Sequence, residues 1–245
     1  GRAIAELRAR EQGLNMVVVD PRFTPDAAMA DVWLPIRPGT DVALMMTWIR
    51  YIIENKLYDE DFCKRWTNLP YLIDTDTKKM LRAYEVGLGE ADAEDAEKTF
   101  VVWDQKTNSA KALPWPYDEA LDPAFFGTYE IDGVEYPTAF TLLQERVDEW
   151  TLEKGCEVCC LEKDQVENAP SGLVLGVATD MSPQSAQGTE GACILEFLLG
   201  NVEKPGALLQ RFPDPPNKVD LGTMNTLVTG DMLEKRLGYR EHKGL

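Results

Sequence analysis

A chain of 245 residues with 44% apolar content is long enough to bury a substantial core as one large or two small domains, which removes disorder as the default. Its 42 acidic against 25 basic side chains leave a formal charge of -17 and a pI near 4.5, which works against attraction to nucleic-acid phosphate or anionic lipid. No apolar run approaches the roughly 20 residues that cross a bilayer, so neither nucleic-acid binding nor direct membrane insertion is expected.

In chain order, Ile4 to Arg10 carries apolar residues at helical spacing and Gly13 ends it, but no capping residue stands ahead. A helix entered midway is the mark of a piece of something longer. "LNMVVVD" has the length and β-branched composition of a buried parallel strand, and "DVWLPI" reads as a second. "DVALMMTWIRYIIENKL" shows a broad apolar helical face, and "DEDFCKRWT" is a short helix with Phe62 and Trp66 at i and i+4. These residues, 1–86, form the first part of an expected α/β dinucleotide-binding domain.

Residues 87–137 change character: an acidic loop precedes "TFVVWDQKTNSAKAL" and "GTYEIDGVEYPT", which read as hairpins, the second turning at Asp132-Gly133. This is a small β-rich insertion. Residues 138–245 resume the α/β domain and end in a connecting tail. They hold a helix at "AFTLLQERVDEW", a helix capped by Thr151, a strand at "GLVLGV", a polar turn at "ATDMSPQSAQGTEG" and a helix at "ACILEFLLGNVEKPG" ended by Gly200-Asn201. Strand, polar loop, helix is the layout of a doubly wound, mainly parallel, Rossmann-like sheet, where ligands bind at the carboxyl ends of strands.

Five cysteines give an odd count that fits reduced thiols. "CEVCC" contains a C-x-x-C, but no second pair exists, so a turn at a helix boundary is the better reading than zinc or an iron-sulfur cluster. A single histidine, His242, removes any His-rich metal site within this chain and makes a Ser-His-Asp triad hard to assemble. The G-x-G-x-x-G fingerprint, the P-loop and the G-x-S-x-G elbow are all absent.

Two loops remain as candidates. Asp20, just past a parallel strand, suits either a ribose hydroxyl pair or the cap of the turn ahead of Pro21, and Arg22 suits a phosphate or a neighbouring acid. In "RPGTD", Pro38-Gly39 makes a tight turn, Thr40 can cap the following helix, and Asp41 stands in its first turn. A carboxylate there also matches the paired N–H donors on the edge of guanine.

The run "VVVDPRFTPDAAMADVWLPIRPGTDVAL", with D-P-R-x-T, then A-D-x-W-L-P-I-R-P-G-T-D, then A-L, resembles the large subunits of molybdopterin oxidoreductases of the dimethyl sulfoxide reductase family. "MSPQSAQGTEGACILEFLLGNVEKPGA" is similar to the family's Q-x-x-x-G loop, helix and G-N-x-x-x-P-G ending, and the resemblance runs from about Ile4 to Ala207. It implies a bis(molybdopterin guanine dinucleotide) cofactor carrying molybdenum or tungsten. Asp20, Pro21, Arg22, Phe23 and Thr24, with Gly39, Thr40 and Asp41, would line a guanosine end, Asp41 at the guanine edge and Asp20 at the ribose. Asp180 and Gln184 would approach the pterin. Ser185 stands where many relatives carry histidine, so no catalytic role is transferred to Gln184, and no residue is assigned as catalytic or as a metal ligand.

The insertion, "FFGTYEIDGVEYPTAFTLLQERVDEWTLEKG", is similar to the branch holding acetylene hydratase, pyrogallol transhydroxylase and catechol dehydroxylases, which implies a small organic substrate. The resemblance further implies a 4Fe-4S cluster upstream, the remaining domains of a parent chain, and a partner in the form of an iron-sulfur electron-transfer subunit. It also implies a bacterial protein that is cytoplasmic or exported by an upstream twin-arginine signal. The expected function is the central cofactor-binding domain of a molybdenum-dependent oxidoreductase, inactive alone. A guanine-nucleotide-binding scaffold and a non-redox hydratase using the same cofactor stand as alternatives.

Overall fold

The computed structural model describes residues 15–113, 118–167, 173 and 184–202. The expected helix at Ile4 to Arg10, Asp180, and the tail beyond residue 202 lie outside them, as does the "GLVLGV" strand apart from Leu173. β1 (Val17–Val19) is three valines long and is followed by α1 (Pro25–Met29) and β2 (Val32–Leu34). The two strands pair in parallel, Val17 opposite Val32 and Val19 opposite Leu34. The short crossover helix forms for local reasons: Thr24 caps it by accepting from the Ala27 amide at 3.2 Å, and Pro25 presets the first helical φ.

The spine of the core is α2 (Asp41–Glu54), whose Leu44, Met45, Trp48, Ile49, Ile52 and Ile53 are all buried. A stripe that wide needs neighbours on several sides. Behind it come α3 (Glu60–Trp66), then, past the β-rich region, α4 (Ala139–Val147), α5 (Leu152–Cys159), α6 (Lys163–Val166) and α7 (Ser185–Leu198). α4, α5 and α7 pack directly on α2. Asp59 caps α3 by accepting from the Phe62 amide at 3.0 Å, and the buried contact of that helix is Cys63, whereas Trp66 is 57% exposed. Burial, reinforced by Asp59 and Glu60, pushes the Cys63 thiol up to about 12, so it stays a neutral donor to the carbonyls of Phe197 and Leu198.

α7 starts at Ser185, so the second half of the expected polar turn is helical. Local propensity and packing both favour this. Gly191 rests on Met45, where an added Cβ would lie 3.2 Å from the Met45 Cβ and Sδ, and ahead of it Ala186, Gln187 and Glu190 are good helix formers that let the helix extend back across Gly188.

Between α3 and α4 the described residues form three antiparallel hairpins: β3 (Ile73–Asp74) with β4 (Lys79–Met80), β5 (Phe100–Asp104) with β6 (Ser109–Leu113), and β7 (Thr128–Ile131) with β8 (Val134–Pro137). Both expected hairpins are present, and Asp132 (φ 51°) and Gly133 (φ 83°) make the left-handed two-residue turn their types favour. Antiparallel pairing begins at Ile73, ahead of residue 87. Single bridges from Tyr71 to Val102 and from Leu72 to Thr138 stitch the hairpins together over a small core of Leu72, Leu81, Ala83 and Val101.

Asp104 anchors the middle hairpin. Its side chain is buried at 1% exposure, and it accepts from the Asp122 amide at 2.8 Å, the Thr107 hydroxyl at 2.7 Å and the Thr107 amide at 3.0 Å. Burial works to raise its pKa, but these hydrogen bonds outweigh it and hold the carboxyl below its ordinary value of 3.8. A depressed folded-state value means that the ionised group stabilises the fold fully above about pH 4 and that this is lost as pH falls through the lower folded-state value. Asp104→Asn should therefore cost about 1–2 kcal/mol at pH 7, with the gap to the parent closing below pH 4, as read from urea midpoints across pH.

Among the described residues the sheets number four, each two-stranded, one parallel and three antiparallel. The architecture is a mixture of helices and small sheets. The expected doubly wound sheet is not built by these residues: the one parallel unit is two strands wide, and the next strand candidate lies outside them. No described helix is long and apolar enough to cross a membrane.

Candidate functional site

Parallel pairing has one direct consequence: the loops that follow β1 and β2 leave from the same end of the strand pair. The first loop begins at Asp20, whose amide donates to the Leu34 carbonyl at 3.2 Å. One carboxylate oxygen accepts from the Arg22 amide at 2.8 Å, the turn-capping arrangement open to an Asp before Pro, and leaves the other oxygen without a described partner. The Asp20 carbonyl accepts from the Trp33 indole at 2.8 Å. Pro21, Arg22 and Phe23 are exposed; the Phe23 ring, 65% exposed, meets the Trp33 ring edge-on at 5.0 Å. Thr24 is occupied in capping α1.

The second loop turns at Gly39, whose φ of 82° suits the third position of a type II turn closed by the Thr40 amide on the Arg37 carbonyl at 3.3 Å. A Cβ added to Gly39 would meet nothing within 4 Å, so the backbone here faces open space. Thr40 occupies the N-cap position of α2, but its hydroxyl does not cap. It donates to the Arg37 carbonyl at 2.7 Å, because the tight turn brings that oxygen closer than the helix amides. The first-turn amides of α2 thus lack a side-chain cap. Asp41, half-buried, has no hydrogen-bond partner among the described residues.

Sequence reasoning missed the residues that hold these loops. The Arg37 amide donates to the Cys159 carbonyl at 2.9 Å, and the Cys159 thiol donates to the Thr40 carbonyl at 3.7 Å. Burial raises the pKa of Cys159, and the negative charge of Asp41 nearby adds to the rise, so the sulfur stays a protonated donor. Cys160 ends α5 in the left-handed region (φ 57°), the helix-boundary turn expected of "CEVCC". The only signal for Trp33 was chemical: an indole N–H in a short strand needs an acceptor.

Gln184 is exposed at the N-cap of α7 and makes no side-chain capping bond. Gly191 touches Met45 near the start of α2, whereas the Leu198 carbonyl accepts from the Asp59 amide at 2.8 Å beyond its end. The two helices therefore run the same way, and Gln184 lies towards the end of the molecule that carries Asp41. At the far end of α7, buried Glu196 accepts from the Leu173 amide and, at 2.8 Å, from the Asn201 side chain. Among the described residues, no group of three His, Cys, Asp or Glu side chains is placed to hold a metal ion.

No protein-family model matches the chain. In fold it is similar to acetylene hydratase from Pelobacter acetylenicus, with a TM-score of 0.52 and 21% identity over 97% of this chain and 24% of that one. In sequence it is 34% identical over 168 residues to the putative dimethyl sulfoxide reductase catalytic subunit of Halobacterium salinarum, covering 68% of this chain and 19% of that protein. It is 32% identical over 160 residues to the alpha subunit of dimethylsulfide dehydrogenase from Rhodovulum sulfidophilum, covering 61% and 17%. Against the nitrate-inducible formate dehydrogenase major subunit of Escherichia coli the match is 27% over 233 residues, covering 88% and 21%. The chain belongs to the dimethyl sulfoxide reductase family of molybdopterin oxidoreductases. It spans about a fifth of the length of these relatives, between 17% and 21%.

Proposed function

We propose that this chain is the part of a molybdenum-dependent oxidoreductase that holds the guanosine end of a molybdopterin guanine dinucleotide. The observation that carries the reading is the convergence of the Asp20–Thr24 and Gly39–Asp41 loops at one end of the parallel strand pair. The residues there fit a nucleotide. The Asp41 carboxylate has no hydrogen-bond partner among the described residues and is half-buried beside the uncapped start of α2, which suits the paired donors on a guanine edge. Asp20 keeps one carboxylate oxygen for a ribose hydroxyl, and Gly39 lets backbone approach closely. Exposed Arg22 and Arg37, one on each loop, offer cations to a pyrophosphate in an otherwise acidic chain.

When bound, the metal and its pterin supply the redox chemistry; these residues bind, orient and position the dinucleotide tail. Asp180 and Gln184 are assigned to the pterin side, and the relatives' designation as subunits supports an electron-transfer partner for the full-length protein. A small organic compound is the proposed substrate.

The test is metal and releasable guanine nucleotide per full-length protein, purified without air from cells that make the cofactor. Each charge-assisted bond is worth about 1.5–3 kcal/mol, so Asp41→Ala should weaken nucleotide retention by about ten- to hundredfold, and Asp20→Ala by somewhat less. Unchanged content in both variants would overturn the assignment. Nucleotide without molybdenum or tungsten in the parent protein would leave a guanine-nucleotide scaffold in place of the enzyme.

A further inference from the structure

Trp33 stands where the two loops meet the core. Its indole N–H donates to the Asp20 carbonyl at 2.8 Å, its ring supports exposed Phe23 at 5.0 Å, and its own carbonyl accepts from the Gln165 side chain at 3.1 Å. Gln165 lies in α6, whose Val166 carbonyl is in turn held by the buried Trp48 indole of α2 at 2.8 Å. At the other end of the same corner, Cys159 grips the second loop through the Arg37 amide and the Thr40 carbonyl. One corner of the fold, from Cys159 to Val166, is therefore the common anchor of both loops. Among the described residues it reaches the second directly and the first through Trp33.

We propose that Trp33 is the positioning residue that sets the first loop at a fixed separation from the second, and that it does so through the bond from its indole to the Asp20 carbonyl with Phe23 braced against its ring. This inference rests on the reading of the two loops as the guanosine grip. A ligand held from two sides is bound tightly only if the sides are already at the right spacing, because ordering an exposed loop at the moment of binding subtracts from affinity. Residues 21–23 are exposed; the Asx turn at Asp20 fixes their local shape, and the Asp20 amide on the Leu34 carbonyl ties the start of the loop to β2 but not the exposed residues beyond it. Trp33 supplies that placement with only two side-chain torsions to hold.

Trp33→Phe in the full-length protein removes the N–H and keeps a ring against Phe23. The expected result is release of guanine nucleotide from the folded protein about five- to tenfold faster, the equivalent of one ordinary hydrogen bond. Faster amide hydrogen exchange confined to residues 20–24 should accompany it, with the thermal midpoint of the cofactor-free protein unchanged. Phe23→Leu, at an exposed position, should act in the same direction with a smaller effect, and if Trp33→Phe does not fold it decides the matter through the exchange of residues 20–24 in the cofactor-free protein, a readout that the loss of a direct contact with the nucleotide would not move. Unchanged release and exchange would overturn the proposal. So would faster release that only tracks a lowered midpoint, which would make Trp33 a core residue and nothing more. Failure of the guanosine reading shows separately, as unchanged nucleotide content in Asp20→Ala and Asp41→Ala.

Discussion

Gly155→Ala is expected to destabilise the chain by about 3 kcal/mol or more, a loss at the upper end of what overpacking causes. Gly155 lies in α5 where that helix crosses α2, and a Cβ there would overlap the Thr47 Oγ1 and lie 2.5 Å from its Cγ2 and 2.7 Å from its Cβ. Thr47 cannot swing aside. It is fully buried, β-branched, and tied by its hydroxyl to the Ala43 carbonyl at 2.8 Å. The helices must instead move apart, and that separation would carry Cys159, one turn further along α5, away from the Thr40 carbonyl. A drop in the urea midpoint measures the effect. Adding Thr47→Ala should recover a substantial part of it, since the clash is then relieved within one pair. Additive losses in the double variant would show that the crossing is not as close as described.

Trp48→Ala should cost about 3–5 kcal/mol by the same measurement, the range for emptying a buried aromatic site. The residue is 2% exposed at the centre of α2, and its indole donates to the Val166 carbonyl, 118 residues along the chain. Trp48→Phe separates the two contributions: most of the volume stays, and about 1–3 kcal/mol is expected from leaving a buried carbonyl unmet. If Trp48→Phe costs nothing, water reaches Val166 and the corner that anchors both loops is looser than its bonding indicates.

Much of the local structure was legible in residue order. The valine run and "DVWLPI" are strands, the apolar stripe after Asp41 is a helix, Asp132-Gly133 turns a hairpin, and Thr151 caps α5 by accepting from the Lys154 amide at 3.3 Å. These features follow from periodicity and from contacts within three or four residues. The crossover helix α1 was equally local, with Thr24 and Pro25 as its start signal, but its five residues are too few for an apolar period to show.

What the sequence by itself determined is therefore the set of elements and, through the long motif from Val17 to Leu44, the family. Only the tertiary structure decided which groups serve the site. Thr40 turns its hydroxyl away from the helix it heads, Asp20 carries both a turn and the Trp33 indole, and Cys159 holds a loop 119 residues earlier in the chain. Gly191 against Met45, a close approach between helices far apart in the chain, is a contact of the same kind. In each case the local chemistry allowed more than one partner. The outcome went to the acceptor or surface that packing brought within reach, and no spacing along the chain carries that information.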